Sequence, residues 1–314
     1  MKILAVGDFH LSDKRPRSRK DNYAESMRLK VREILQIARD EKVEAIIQPG
    51  DFTDSWESPD KFKTTWIKEF KNSPPMYTIP GQHDMRYHTS DIKNTPLGVL
   101  VEAIDNMHQA GENGISLENN SGENIFLYGA PWNQPIPKIT TPKAFNILVT
   151  HRMIVMDKLW AAQENYEVAG TFMRKSKFDL VISGDNHTSF HYAQPDGRLL
   201  INCGSLMRSN IDQESHRPCV WVFDTQDILR QIYLELKVQP FSDVMDLDRA
   251  KIEKKISDQK NLKLEELEKK LSTKSRISGL DYSARVSEKV KELQREKKVS
   301  PLAVKIIGEW MGEE

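Results

Sequence analysis

The sequence predicts an α/β fold: a sandwich of mixed β-sheets flanked by helices, with a helical C-terminal extension. Three observations carry that expectation. Short β-branched apolar runs alternate with helically spaced apolar stripes through the first two-thirds of the chain. Strands then follow one another without long helices after residue 190, which implies mixed rather than wholly parallel sheets. Beyond about Pro240 the chain turns rich in Lys and Glu and poor in aromatics, so the expected division is 1–240 for the sandwich and 241–314 for the extension.

The elements follow in order. Lys2–Val6 is a short apolar strand, and Met27, Val31, Ile34, Leu35 and Ala38 mark the next helix. Val43–Ile47 is β-branched and reads as a buried strand. Ser58-Pro59 resembles an N-cap followed by proline in the first helical turn, with Phe62, Trp66 and Phe70 on one face. Met76–Ile79 is a strand and Leu97–Ile104 a helix. Later strands are expected at Ile125–Tyr128, Phe145–Val149, Phe178–Ile182, Arg198–Asn202, Cys219–Phe223 and Gln231–Val238. In the extension, Ile252, Ile256, Leu264, Leu267 and Leu271 mark one or two amphipathic helices. Val286–Leu293 and Leu302–Trp310 mark two more, with stripes too thin to build a core of their own.

Bulk properties exclude several classes. Lys+Arg and Asp+Glu are 46 each, so net charge points to no polyanion, although a local basic patch stays open. No run approaches the ~18 apolar residues of a membrane span, and the N-terminus lacks the features of a secretory signal. Two cysteines, Cys203 and Cys219, do not make a disulfide framework and read as reduced, buried thiols. The expected setting is intracellular, without membrane contact.

Five polar clusters share one placement, the C-terminal end of a predicted strand. They are Asp8 with His10, Asp51, Gln82-His83-Asp84, His151, and Asp185-Asn186-His187. In α/β sheets that edge is where ligands bind. Each cluster alone has an ordinary structural reading as a turn, a surface histidine or a hydrogen-bonded core histidine. Together they supply carboxylate, imidazole and amide donors without cysteine, a set suited to Mn²⁺, Mg²⁺, Fe²⁺ or Zn²⁺. Two such ions about 3.5–4 Å apart can hold a phosphate and lower the pKa of a bridging water. No nucleophile-elbow motif signals a Ser or Cys alternative.

The order Gly7-Asp8-Phe9-His10, Gly50-Asp51-Phe52-Thr53-Asp54, Gly81-Gln82-His83-Asp84, Thr150-His151 and Gly184-Asp185-Asn186-His187 resembles the calcineurin-like metallophosphoesterase superfamily. The likeness covers residues 1 to about 225. Within that superfamily the chain looks most like SbcD-type DNA repair nucleases and their phage relatives. Asp8-Phe9-His10-Leu11 is similar to their first motif, and Cys203-Gly204-Ser205-Leu206-Met207-Arg208 to the stretch that closes their phosphoesterase domain.

The resemblance implies one metal held by Asp8, His10, Asp51 and His187, and a second held by Asp51, Gln82, His151 and Asp185, most often Mn²⁺. His83 would be the catalytic histidine that contacts the phosphate. Asp54 is a candidate orienter of His83, with helix capping as the other reading. Gln82 stands where the family usually has Asn, and Asp185 where it has His, so both departures fall on the second metal. The added carboxylate suits a harder ion; a degenerate, mainly structural site is the opposing reading.

Lys14, Arg15, Arg17 and Arg19 form a basic loop after His10 that could hold a nucleic-acid backbone by charge, or could simply be solvated. Arg86, Tyr87 and His88 follow His83 closely and could line the same cleft. The resemblance further implies DNA as substrate and an SMC-like ATPase partner of the SbcC type, contacted through the C-terminal helices; those stripes could equally pack on the protein's own domain. A homodimer is expected. The leading reading is thus a metal-dependent DNA exo/endonuclease subunit in repair or recombination. The alternatives are a phosphoesterase on a cyclic nucleotide or phosphoprotein, and a binding subunit with a degenerate centre.

Overall fold

The computed structural model describes residues 1–252 and 255, apart from 121, 158–164 and 250. Met1–Ala250 forms one compact unit, ten residues beyond the shift in composition at Pro240. The apolar stripes expected from Ile256 onward lie outside the described residues.

The chain runs β1 (Lys2–Ala5), α1 (Tyr23–Asp40), β2 (Ala45–Gln48), α2 (Asp60–Phe70), β3 (Met76–Thr78), α3 (Pro96–Ala103), β4 (Met107–Gln109) and β5 (Ile115–Ser116). It continues with β6 (Ile125–Ala130), β7 (Phe145–Thr150), β8 (Ile154–Val155), β9 (Glu167–Val168), α4 (Ala169–Lys175), β10 (Leu180–Ser183) and β11 (Phe190–Ala193). The last described elements are β12 (Leu199–Asn202), β13 (Cys219–Asp224), β14 (Asp227–Glu235) and α5 (Phe241–Val244).

Two six-stranded sheets result, mixed as the sequence predicts, in the orders β14-β13-β1-β2-β3-β4 and β11-β12-β10-β7-β6-β5. β1 to β4 run parallel, with β13 antiparallel to β1. In the second sheet β6, β7, β10 and β12 run parallel, and the edge strands β5 and β11 are antiparallel.

The period of two along a strand divides the apolar residues between layers. In β1, Ile3 and Ala5 join Ala45, Ile47, Leu127, Ile147, Val149, Leu180 and Ile182 in a core between the sheets. Leu4 turns the other way, with Ile46, Met76, Val220 and Val222, onto the buried faces of α1, α2 and α3. On the far side, Leu148, Val181 and Leu200 meet Phe172 and Met173 of α4. The layers are therefore helix, sheet, sheet, helix.

Helix starts follow local chemistry. The Asn22 side chain accepts from the Glu25 N–H at 3.3 Å to open α1, and Thr95 does the same for the Gly98 N–H at 3.2 Å before Pro96 in α3. At α2 the expectation fails: Pro59, not Ser58, is the cap, with no side-chain bond, and the Ser58 hydroxyl is buried without a partner. β14 begins and ends earlier than Gln231–Val238, because its pairing with β13 is set by the turn after Asp224. The sequence predicts none of β4, β5, β8, β9, β11 and α4; each has seven residues or fewer and too short a period to read. Both cysteines are free and buried. Among the described residues no helix is long and apolar enough to cross a membrane.

Phe70 closes α2 onto the loops that follow β1 and β2. Its ring lies 6.2 Å from Phe9, 5.4 Å from Phe52 and 6.0 Å from Trp66, centroid to centroid. Phe70→Ala is expected to cost about 3–5 kcal/mol, read as a lower urea midpoint with unchanged slope. A midpoint equal to the parent's would show that this aromatic cluster does not hold the helix down.

Candidate metal centre

Each cluster expected at a strand end is found there. Asp8 and His10 follow β1, Asp51 follows β2, Gln82 and His83 follow β3, His151 follows β7, and Asp185 and His187 follow β10. β1, β2 and β3 are neighbours in one sheet, and β7 and β10 are neighbours in the other. The chain leaves three of these strands through left-handed residues that are not glycine: His10 (φ 45°), Asp51 (φ 46°) and Asp185 (φ 71°). Such conformations cost roughly 1–3 kcal/mol and concentrate at functional sites.

The backbone grips Asp8 on both sides. Its N–H donates to the Gly204 carbonyl at 3.1 Å, and its carbonyl accepts from Leu206 at 2.8 Å. The Cys203–Arg208 stretch thus acts as a rail that positions the first carboxylate. Asp8 Oδ2 accepts the Asp185 N–H at 2.9 Å, and Asp51 Oδ1 accepts the His83 N–H at 2.9 Å. A Cβ on Gly184 would lie 2.5 Å from Asp8 Oδ1, and one on Gly81 would collide with Asp51 Oδ1. Only glycine fits either place.

Asp84, which the sequence marks only as a member of the cluster after β3, is the organiser of the site. Its buried carboxylate accepts four donors: the Phe52 N–H (3.0 Å), the Gly81 N–H (3.0 Å), the Thr53 N–H (2.7 Å) and the Thr53 hydroxyl (2.8 Å). Burial and the nearby Asp51 push it up to about 6, against the pull of those donors. With four donors aimed at it, the geometry accepts only the ionised form. It ties the loop after β2 to the loop after β3.

The gathered side chains form three overlapping triads whose ligand atoms lie within 4.8 Å of one another: Asp8, His10 and His187; His10, Asp51 and His83; and Asp8, Asp51 and His151. The His10 and His187 Nε2 atoms face each other at 3.0 Å, a contact that needs a proton or a cation between two lone pairs. His151 donates from Nδ1 to the Pro49 carbonyl at 2.7 Å, which leaves Nε2 turned to Asp51 Oδ2 at 3.3 Å. His151 Nε2, Asp51 Oδ2 and Gln82 Oε1 are all buried without a hydrogen-bond partner. His151 and Asp51 still attract one another as charges, whereas the Gln82 oxygen has no such partner, and a buried polar atom left in that state costs about 1–3 kcal/mol. All three atoms are of metal-ligand type, so the donor set fits a dinuclear divalent site.

The electrostatics agree. Burial lifts Asp8 to about 7, with Asp51 and Asp185 adding to it against His151 and His10. Burial works against a charge on His151, but Asp51, Asp8 and Asp185 outweigh it and raise the ring to about 10. Burial also opposes charge on Asp51, yet His151, His10 and His83 hold it below the usual carboxylate range. His187 falls to about 4 through burial and the like charge of His10. A divalent ion supplies the positive charge that these groups otherwise draw from protons.

Three expectations change. Asp54 does not present its carboxylate to His83: the backbone carbonyl of Asp54 faces His83 Nδ1 at 3.0 Å, while the carboxylate lies 3.6 Å from His10 Nδ1. Arg19 is not part of the exposed basic loop. It is buried, bidentate to Asp21 at 2.8 and 2.7 Å, bonded to the Arg208 carbonyl at 2.7 Å and stacked over Tyr23. Lys14, Arg15 and Arg17 remain exposed. Finally, Gln82 and Asp185 are bonded to each other, Nε2 to Oδ1 at 3.2 Å. The longer amide and the shorter carboxylate offset one another's reach, and Asp185 falls in none of the triads among the described residues. Arg86 lies over Trp56 and Tyr87. A cleft of about 880 Å³ opens beside Asp185 and His187 and is lined also by Asn210, His216, Arg217 and Tyr233; no motif marked those last four as functional.

A helix–sheet–sheet–helix sandwich with carboxylates and imidazoles at facing strand ends defines a metallophosphoesterase-type hydrolase. The family model for calcineurin-like phosphoesterases matches residues 1–189, and the chain belongs to that family. Among solved structures it is similar to the protein TT1561 of Thermus thermophilus, with a TM-score of 0.50 at 10% identity over 75% of this chain and 99% of that one. It is also similar to a dimetal phosphatase from Danio rerio, with a TM-score of 0.47 at 10% identity over 76% and 97%. A third likeness is an archaeal phosphodiesterase, with a TM-score of 0.41 at 19% identity over 75% and 100%. No curated protein matches the sequence.

Asp84→Asn replaces one acceptor oxygen by an NH₂ group that faces two donors. The expected result is a loss of about 2–5 kcal/mol in urea unfolding, with weaker Mn²⁺ binding by calorimetry. Parent-like stability and affinity would show that the two loops are held by something else.

Proposed function

We propose that this chain is the nuclease subunit of an SbcD-type assembly: a Mn²⁺-dependent DNA exo/endonuclease in repair or recombination. One observation carries the choice of a polymeric phosphodiester. The exposed cations Lys14, Arg15 and Arg17 begin four residues after His10, on the loop that leaves the metal centre. Cations placed there can track successive phosphates on either side of the one being cleaved.

In this reading Asp8, His10, Asp51 and His187 hold one ion, and Asp51, His151, the Gln82 amide oxygen and Asp185 the other. Bound divalent ions would lower the pKa of a water and neutralise charge on the phosphate. The protein's own contribution is orientation and proton handling. The Asp54 carbonyl accepts the His83 Nδ1–H, which orients the ring and leaves Nε2 facing the phosphate; in the doubly protonated imidazolium, Nε2–H would give its proton to the departing oxygen and leave the neutral ring. Burial of Asp8 and Asp51 keeps bulk water away from the carboxylates. Residues 1–240 would supply this chemistry. Residues 241–314 would bind the SMC-like ATPase partner, the nuclease acting as a homodimer inside the cell.

A binding subunit with an altered second half is the alternative, and the Gln82–Asp185 bond favours it, since that carboxylate is already engaged. A panel of p-nitrophenyl phosphate, bis-p-nitrophenyl phosphate, linear duplex DNA and single-stranded DNA, each with Mn²⁺, separates the readings. The expected outcome is DNA hydrolysis, abolished by EDTA and lowered about 10²–10⁴-fold in His83→Ala. Good monoester turnover without DNA cleavage would exclude the nuclease. No turnover of any substrate would support the binding subunit.

A further inference from the structure

An aromatic cluster stands on the loops that carry the metal centre, and neither fold nor catalysis accounts for it. Tyr87 follows His83 by four residues and is 77% exposed. Trp56 follows Asp54, whose carbonyl holds His83, by two residues; the Trp56 and Tyr87 rings lie 5.9 Å apart. The Arg86 guanidinium sits over both, 5.2 Å from the Trp56 ring and 5.1 Å from that of Tyr87. Beside them His88 lies 5.3 Å from Trp132, whose backbone N–H donates to the Pro80 carbonyl at the root of the His83 loop.

The backbone here is held against its preference. Tyr87 (φ 53°) and His88 (φ 56°) are consecutive left-handed residues, and neither is glycine. That conformation is unfavourable for a side chain with a Cβ. Tyr87 buries too little surface to return the cost through packing. The strain has one visible effect: it stands an aromatic ring in solvent four residues after His83.

We infer that Trp56, Arg86, Tyr87, His88 and Trp132 form a stacking ledge for unpaired nucleobases of the strand whose phosphate reaches His83. Every base offers a π-face, so such a ledge grips single strands or frayed ends without reading sequence, and the guanidinium adds a cation for the ring or the backbone. A duplex interior keeps its bases stacked on one another and cannot use it. This inference rests on the nuclease reading for the identity of the occupant.

The test is equilibrium binding, which requires no turnover. The full chain carrying His83→Ala, with Mn²⁺, is titrated against fluorescein-labelled (dT)₈ and against an abasic octamer of equal charge, followed by anisotropy. The expected result is about tenfold tighter binding of (dT)₈. Tyr87→Ala in the same background is expected to bring the two affinities together, and Tyr87→Trp to keep them apart. Equal affinities in the parent, an unchanged preference in Tyr87→Ala, or no measurable binding of either octamer would overturn the ledge. DNA cleavage by the His83-intact chain without base-dependent binding would refute the ledge alone. Base-dependent binding without DNA cleavage would refute the nuclease and leave the ledge standing.

Discussion

The centre depends on one buried carboxylate that touches no substrate. Asp84 gathers the N–H groups of Phe52, Thr53 and Gly81 and the Thr53 hydroxyl, and so clamps the loop bearing Asp51 to the loop bearing Gln82 and His83. With the clamp closed, the His83 N–H reaches Asp51 Oδ1, and the Asp54 carbonyl reaches the His83 ring. A charged acceptor serving several donors is worth more than the same number of neutral bonds. The second sheet enters through the Asp185 N–H on Asp8 Oδ2, and the Pro49 carbonyl accepts from His151 Nδ1 in return, so each sheet fixes a ligand belonging to the other.

What this arrangement creates is unstable by itself. Asp8, Asp51 and His151 are buried within a few ångströms of one another, with His10, His83 and His187 at their rim. Three ligand-type atoms have no hydrogen-bond partner, and three ligand residues sit in left-handed backbone. Folds retain such costs where a bound ion or a substrate repays them. The Gln82–Asp185 pair is the one place where the protein satisfies itself instead, and it is where the sequence departs from the family's usual residues.

Much of this was legible in the sequence, for a physical reason. Strand ends in α/β sheets collect polar residues only when something binds there, so Asp8, Asp51, His83, His151 and His187 could be placed on one edge before any coordinates. Buried parallel strands such as β1, β2 and β7 are continuous apolar runs and read clearly, whereas β8, β9 and α4 are too short to show a period. Partnership across the chain was not legible. Nothing local marks Arg19 as buried against Asp21 and Arg208 while Arg17 stays exposed. Nor does spacing tell whether Asp54 offers a carboxylate or a carbonyl to His83, or that Asp84 has four donors waiting for it. Those facts belong to loops brought together from distant positions.

Seven strand-end residues, with Gln82 and Asp185 among them, are proposed to hold two ions. Anomalous scattering from a Mn²⁺-soaked crystal tests that proposal most directly. Two peaks about 3.5–4 Å apart are expected, one against Asp8, His10 and His187 and the other against His151 and the Gln82 amide oxygen, with Asp51 between them. A single peak on the His187 side, with Gln82 still bonded to Asp185, would contradict it.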